Sequence, residues 1–489
     1  MLRLVNVRFP ESGRAHLEFL REALLLEGCS NPHVPIAVLR QLPVQIRRSS
    51  ELSIAVVEGN DEAVVVDADP ALPLCMAVDV GSTNVDAWLV DAGARRILAD
   101  ATAVNPQFRF SEDILDRVLH SGNRMDELQQ PLVEAINGLA QDLCRIAGRQ
   151  VSDIYLLCAA GNTAMMHLLL GVDASSLPTV PNTPVFHSPG LHRAVDVGFR
   201  LHPEARVFLF PNVGAFVGGD VLADLLAVGL HREEEVSILV DVGTNAEVLI
   251  GNRHWLLAGA GAAGPALEGG IATYAGRART GAVEACRFDR TTHRFTCSVI
   301  GDVSPTHLCG SGLIDLVAEL FRNGLIDGRG RFLDGPLALT SGVGGEKALH
   351  VFSRSAEGKE PGLLISEHDL ENFVRSKAGM YALIQTLLSH TGIEPSGVSN
   401  VYICGAFGNR ISAETATFLG MVPPLPAARF LGTEDATLQG IMELLCDVRT
   451  LGELTGLAER ITYIDMNTDP VFMKHFTAAR FIPHTDSVE

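Results

Sequence analysis

The sequence predicts an α/β protein of two duplicated lobes preceded by a small α+β domain. At 489 residues the chain exceeds one ordinary hydrophobic core, so roughly two to four domains are expected. Aliphatic residues and glycine dominate while aromatics make up only 6%, the balance of sheets covered by helices on both faces. Above all, a meander of three short strands beginning MAVDVGSTNVDAWLVDAGARRILA at Met76 returns from Ile238 as ILVDVGTNAEVLIGNRHWLLA. In both copies Asp ends the first strand and Gly opens the turn.

Residues 1–74 form the small leading domain. A helical pattern in AHLEFLREALLLEG is followed by the alternating strands LSIAVVEG and EAVVVDAD, and Pro73 closes the segment. Residues 75–235 make the first lobe. After its meander an amphipathic helix, LVEAINGLAQDLCRIAG, leads to the strand DIYLLCA, then Gly161 and the helix of NTAMMHLLLG. Residues 236–489 make the second lobe and a C-terminal tail. There FVRSKAGMYALIQTLLSHTG leads to the strand NVYICG, with Gly405 at its turn and a segment ending FLG. The second half is longer by about 80 residues between meander and last strand, room for an insertion that includes CGSGLIDLVAELFRNGLI. The linker between halves lies near HREEEVS, residues 231–237. Two such halves facing a shared cleft are the plan of actin, hexokinase and acetate kinase. The expected fold is therefore actin-like, with duplicated ATPase lobes around a nucleotide cleft.

Charge and cysteines exclude several classes. Asp and Glu number 58 against 38 Lys and Arg, a formal net charge of −20 that repels nucleic acid. The basic pairs Arg47-Arg48 and Arg95-Arg96 read as solvated edges. Nine cysteines are scattered without a CxxC pair, as expected of reduced thiols in a cytoplasmic protein. The opening MLRLVNVRFP carries no long apolar core, and no stretch reaches the roughly 18 apolar residues of a membrane span.

The paired turns DVGSTN (79–84) and DVGTNAE (241–247) carry the chemistry. Gly81 and Gly243 admit backbone amides close to a phosphate, and the hydroxyls of Ser82, Thr83 and Thr244 add donors. Asn84 and Asn245 supply further polar contacts. Asp79 and Asp241 are expected to hold Mg²⁺ through its water shell and so to serve catalysis. A single Asp-x-Gly turn marks an ordinary hairpin; recurrence at equivalent places is what points to ATP.

In PNVGAFVGGDVLADLLAVG, Asp220 opens a helix. It is either an N-cap or, as in sugar kinases of this plan, the acid that positions an attacking hydroxyl or water. The segment AGAGAAGPALEGG contains a literal GxGxxG at Gly259, Gly261 and Gly264. Pro265 and Gly269-Gly270 follow too soon for a dinucleotide-binding helix, so Gly264 is expected in a loop near the nucleotide. In ICGAFGNRI, Gly405 and Gly408 would admit adenine and ribose, with Asn409 as a polar contact; a strand-to-helix turn needing glycine is the alternative. Cys309 in LCGSG reads as a packed thiol, since a cluster needs several ligands. GxxxxGK[ST], HExxH and GxSxG are absent from the sequence.

The strings DVGSTN, NPQFRFSEDILDRV, GNTAMMHLLLG, PNVGAFVGGD, LVDVGTNAEVLIG, GAAGPALEGG, CGSGLID and ICGAFGN together resemble the reductive activators of corrinoid proteins. The likeness runs from about residue 76 through YIDMNTDPVFMKHFTAARFIPH, and the leading residues are similar to the small linker or middle domain ahead of that ATPase. It implies ATP and Mg²⁺ as cofactors and reduction of Co(II) to Co(I) in a corrinoid protein or cobalamin-dependent methyltransferase. It also fits a homodimer. Two departures stand out. Such activators usually carry an iron–sulfur domain, whereas here Cys29 and Cys75 are the cysteines of the first 100 residues and none follows Cys446. The electron is therefore expected from a separate iron–sulfur or flavin protein. DVGSTN also stands where a run of threonines is usual. The alternatives are a reactivating chaperone for a cobalamin enzyme, a small-molecule kinase and a filament-forming actin relative.

Overall fold

The computed structural model describes residues 1–10, 15–111, 113–243, 246–261, 276, 278–342, 344–352, 363–405 and 412–484. It divides into two compact units, Met1–Ala227 with Ala436–Ile461, and Val228–Asp435 with Thr462–Glu489.

The first unit begins with β1 (Leu2–Arg8), α1 (His16–Leu26), β2 (Pro32–His33), α2 (Ile36–Arg48), β3 (Glu51–Glu58) and β4 (Ala63–Ala68). The strands form a sheet of order β1-β3-β4-β2. Leu20 and Leu24, one turn apart on α1, and Val38 and Leu42 on α2 are buried against it.

The larger sheet of this unit is built from β5 (Leu74–Val80), β6 (Asn84–Asp91), β7 (Arg96–Val104), β8 (Ile154–Ala160), β9 (Leu191–Arg193) and β10 (Arg206–Leu209). Its order is β7-β6-β5-β8-β10-β9. β5 is antiparallel to β6 but parallel to β8. The long α3 (Ile114–Ala147) packs on β6 and β7. α4 (Thr163–Leu170), α5 (Ala194–Val197) and α6 (Gly219–Val228) fill the connections after β8, β9 and β10.

In the second unit β11 (Ser237–Val242), β12 (Ala246–Gly251) and β13 (Leu256–Gly261) form the second meander. An insertion follows: β14 (Ala282–Asp289), β15 (Arg294–Val299), β16 (His307–Leu308), α7 (Gly310–Arg322), β17 (Leu339–Ser341), β18 (Lys347–Phe352) and β19 (Leu363–Ser366). It makes two small sheets, β15-β14-β16 and β17-β18-β19. Then come α8 (Glu367–Thr391), β20 (Asn400–Gly405), α9 (Ala413–Phe418) and β21 (Arg429–Gly432), next α10 (Ala436–Cys446) and α11 (Arg449–Arg460), which belong to the first unit, and last β22 (Ile461–Ile464) and α12 (Pro470–Ala478).

The main sheet here has the order β21-β20-β11-β12-β13-β22. Read from its meander, β13-β12-β11-β20-β21 repeats β7-β6-β5-β8-β10, with α8 on β12 and β13 as α3 lies on β6 and β7. This is the actin-like plan.

Boundaries at 74/75 and 235/236 divide the chain differently from these units, because the leading sheet belongs with the first lobe and Ala436–Ile461 packs there too. The cause is α10. Its buried Leu438, Ile441, Leu444 and Leu445 accompany its packing on β5, β8 and β6. A Cβ on Gly440 would sit 1.8 Å from the Ala223 carbonyl oxygen, so only glycine allows α10 this close to α6.

Candidate functional site: acid pairs at two strand ends

Every residue of β5 is buried except Asp79, which is half-buried at the carboxyl end. Asp79 lies directly opposite Asp86 on β6 and Ala160 on β8. The Asp86 carboxylate accepts a 2.5 Å hydrogen bond from the Thr102 hydroxyl on β7. Like charges facing each other across a ladder repel.

The turn that follows is held from behind. Gly81 O accepts from Asn105 Nδ2 at 2.9 Å, Thr83 O from the Asn105 N–H at 2.9 Å, and Ser82 O from Arg117 Nη1 at 2.6 Å. Arg117 Nε also donates to Ser111 O at 2.7 Å. Its guanidinium is fully enclosed, and burial pushes its pKa down to about 10. Since a trans peptide sets C=O and the next N–H in opposite directions, these contacts aim the Ser82 and Thr83 N–H groups away from Asn105 and Arg117. A Cβ on Gly81 would stand 2.6 Å from Asn84 O, so the turn closes only with glycine there.

Two further segments converge on this strand end. A Cβ on Gly161 would meet Val80 O at 2.6 Å, and one on Gly218 would meet Asn162 Cα at 2.4 Å. The Gly219 N–H donates to Gly161 O at 2.9 Å and that of Asp220 at 3.4 Å. Asn162 caps α4 by accepting from the Met165 N–H at 2.9 Å. Asp79, Gly81 and Asp220 thus belong to one neighbourhood at the carboxyl ends of β5, β8 and β10, the place where open α/β sheets bind ligands.

Asp220 is the second residue of α6 rather than its cap, and its carboxylate accepts from the Val221 N–H at 2.9 Å. Burial pushes its pKa up to about 6, and the two backbone N–H groups oppose that shift. One turn later Asp224, buried, accepts from the Thr437 hydroxyl of α10 at 2.9 Å.

The second unit repeats the strand-end acid with different neighbours. Half-buried Asp241 lies opposite Glu247 on β12 and Cys404 on β20. Glu247 is buried. Gly405 has φ +77°, and a Cβ there would stand 2.6 Å from both Asp241 Oδ1 and Val242 O. Gly243 follows β11; Thr244, Asn245, Gly264, Gly408 and Asn409 lie outside the described residues.

Among the described residues no group of three or more His, Cys, Asp or Glu is placed to hold a metal. Each hairpin therefore offers a pair of acids, which suits a hard cation that keeps its waters. Gly259 and Gly261 lie inside β13, antiparallel to β12, and so are not a dinucleotide loop. Cys309 is a buried thiol donating to Val283 O at 3.2 Å. No helix among the described residues is long and apolar enough to cross a membrane.

Asp86, Glu247, Asn105 and Arg117 are the residues sequence reasoning did not assign. The signal was present for the acids, since D-x₆-D and D-x₅-E place the second carboxylate across a hairpin. Asn105 and Arg117 fall within NPQFRFSEDILDRV, a string with no assigned role.

A family model described as the C-terminal domain of RACo, the ASKHA domain, matches residues 235–489, and one described as RACo middle region matches residues 74–233. The middle region is thus the first lobe, and the leading residues precede it. The corrinoid activation enzyme RamQ of Eubacterium limosum is 30% identical over 413 residues, covering 82% of this chain and 69% of RamQ. The [Co(II) methylated amine-specific corrinoid protein] reductase of Methanosarcina barkeri is 25% identical over 284 residues, covering 54% of this chain and 49% of the reductase. A solved reductive activator for corrinoid, iron-sulfur protein superposes with a TM-score of 0.88 at 27% identity, over 99% of this chain and 79% of that one.

Proposed function

From the premise that this chain belongs to the RACo family, we propose that it hydrolyses ATP to drive a corrinoid protein from Co(II) to Co(I). The chain is a reductive activator of corrinoid proteins with an actin-like ATPase fold. The observation that carries the ATP reading is a pair of facing acids, Asp79 with Asp86 and Asp241 with Glu247, recurring at the end of the first meander strand of two sheets with one strand order.

In this reading the turn after β5 donates backbone N–H groups to phosphate oxygens, with Ser82 and Thr83 adding hydroxyls. Asp220 accepts the proton of the attacking water as its oxygen bonds to the γ-phosphorus and the bridging oxygen leaves with ADP. A carboxylate titrating near 6 is ionised at neutral pH yet basic enough to take that proton. Asp79 with Asp86, and in the second unit Asp241 with Glu247, are the acids that would hold Mg²⁺, whose charge would offset that of phosphate. The electron comes from a separate iron–sulfur or flavin protein, in the cytoplasm, and the activator works as a homodimer.

The test is anaerobic mixing with a corrinoid protein held as Co(II), a reduced ferredoxin-type donor and ATP with Mg²⁺, following the Co(I) absorption. Co(I) is expected only in the complete mixture. Equal Co(I) formation without ATP, or ATP consumption with phosphate appearing on a metabolite, would overturn the proposal.

A further inference from the structure

The insertion of the second unit carries a pair of thiols that the ATPase reading leaves unused. Cys286 on β14 and Cys297 on β15 are directly opposite each other in the antiparallel ladder, with their Sγ atoms 3.4 Å apart. Both are free thiols, Cys286 buried and Cys297 half-buried.

Strand geometry shows why they stand so close. The Phe288 N–H donates to Glu319 Oε2 on α7 at 2.9 Å, and the Cys286 N–H donates to the Asp315 carboxylate on the same helix. N–H groups two residues apart thus turn toward α7 and away from β15. Cys286 and Cys297 therefore form a non-hydrogen-bonded pair, the type whose Cα atoms are about 4.5 Å apart and whose side chains are closest. That spacing falls within the range a disulfide accepts, about 4.4–6.8 Å. The ladder already supplies the backbone geometry that the bond requires.

The two thiols differ in reactivity. A hydrogen bond from Cys286 holds the Cys297 thiol below its ordinary pKa, against the opposing effect of its burial. The bond to Cys297 and burial push Cys286 well up. Cys297 is thus the partly accessible attacking sulfur and Cys286 the resolving one.

We propose that Cys286 and Cys297 form a reversible dithiol–disulfide site whose co-reactant is a low-molecular-weight disulfide. The Cys297 thiolate attacks one sulfur of that disulfide, releasing the first small thiol and leaving a mixed disulfide. Cys286, giving up its proton, then attacks Cys297 Sγ and releases the second small thiol. The protein pair loses two electrons and two protons, and the small disulfide gains both. The bond formed clips β14 to β15 beneath α7.

The experiment exposes the reduced full-length protein to glutathione disulfide, alkylates remaining thiols, and maps the unfolded, digested protein by mass. Loss of two of the nine thiols is expected, with one peptide joining Cys286 to Cys297 and full recovery on treatment with dithiothreitol. Cys286→Ser should retain glutathione on Cys297, and Cys297→Ser should lose no thiol at this site. The proposal is overturned if both cysteines of the wild-type protein stay open to alkylation, or if the thiols lost belong to other cysteines. Neither result bears on ATP turnover, so this site and the nucleotide reading fail separately.

Discussion

The two main sheets share one strand order but are furnished differently at the same position. In the first unit Asp79 is flanked by Ala160 and Gly161, its partner Asp86 is tied to Thr102, and the turn is fixed from behind by Asn105 and Arg117. In the second, Asp241 presses on Gly405 and its partner Glu247 is buried. α6 brings a third carboxylate, Asp220, beside the first strand end. Duplication thus preserves the strand-end acid and the glycine beside it. What has diverged is the support at each strand end.

Substitutions can break this comparison, and the largest effect is expected at Asp220. Asp220→Asn should lower ATP turnover by about 10²–10⁴-fold. In the wild-type protein turnover should rise with pH through about 6, and the variant should lose that limb. The sign for stability is opposite. A carboxyl whose folded pKa is raised binds its proton more tightly in the fold, so the fold loses stability as pH rises from the unfolded value to about 6. Asp220→Asn removes that penalty, and thermal unfolding at pH 7.5 should shift upward by the equivalent of about 1–3 kcal/mol. A variant both slower and less stable would contradict the assignment.

Next come the strand-end acids. Asp79→Asn and Asp241→Asn should each reduce turnover about a hundredfold and raise the Mg²⁺ concentration for half-activity, with the fold intact by circular dichroism. Full activity in Asp79→Asn would restrict the site to the second hairpin. Gly405→Ala places a methyl group against Asp241 at positive φ, and should cost on the order of 1–3 kcal/mol of stability together with turnover. Arg117→Met should be milder. It removes the donor to Ser82 O, costs about 1–2 kcal/mol, and is expected to raise KM for ATP several-fold with kcat nearly unchanged.

The repeat was legible because it is local. Apolar runs ending in Asp-Val-Gly show strand, turn and strand without any partner, and β5, β6, β11 and β12 fall where those runs lie. The helices before β8 and β20 were legible from their periodicity. By contrast α2 carries Pro43 inside it, which hides the helix, and β1, in the opening MLRLVNVRFP, takes its place in the sheet only by pairing with β3, which lies far along the chain. The return of α10 to the first sheet rests on Gly440 meeting Ala223, a contact between residues more than two hundred apart in the chain. Asn105 and Arg117 act through backbone carbonyls, and a carbonyl acceptor leaves no trace in the identity of the residue that bears it. Asp86 and Glu247 required the hairpin register, which fixes which residue stands opposite another.

Phosphate release from ATP, measured with and without a corrinoid protein held as Co(II), tests the central claim most directly. Release is expected from the wild-type protein, stimulated by the Co(II) form and cut about a hundredfold in Asp241→Asn. Turnover indifferent to the Co(II) protein, or an Asp241→Asn variant as active as wild type with unchanged Mg²⁺ dependence, would contradict it.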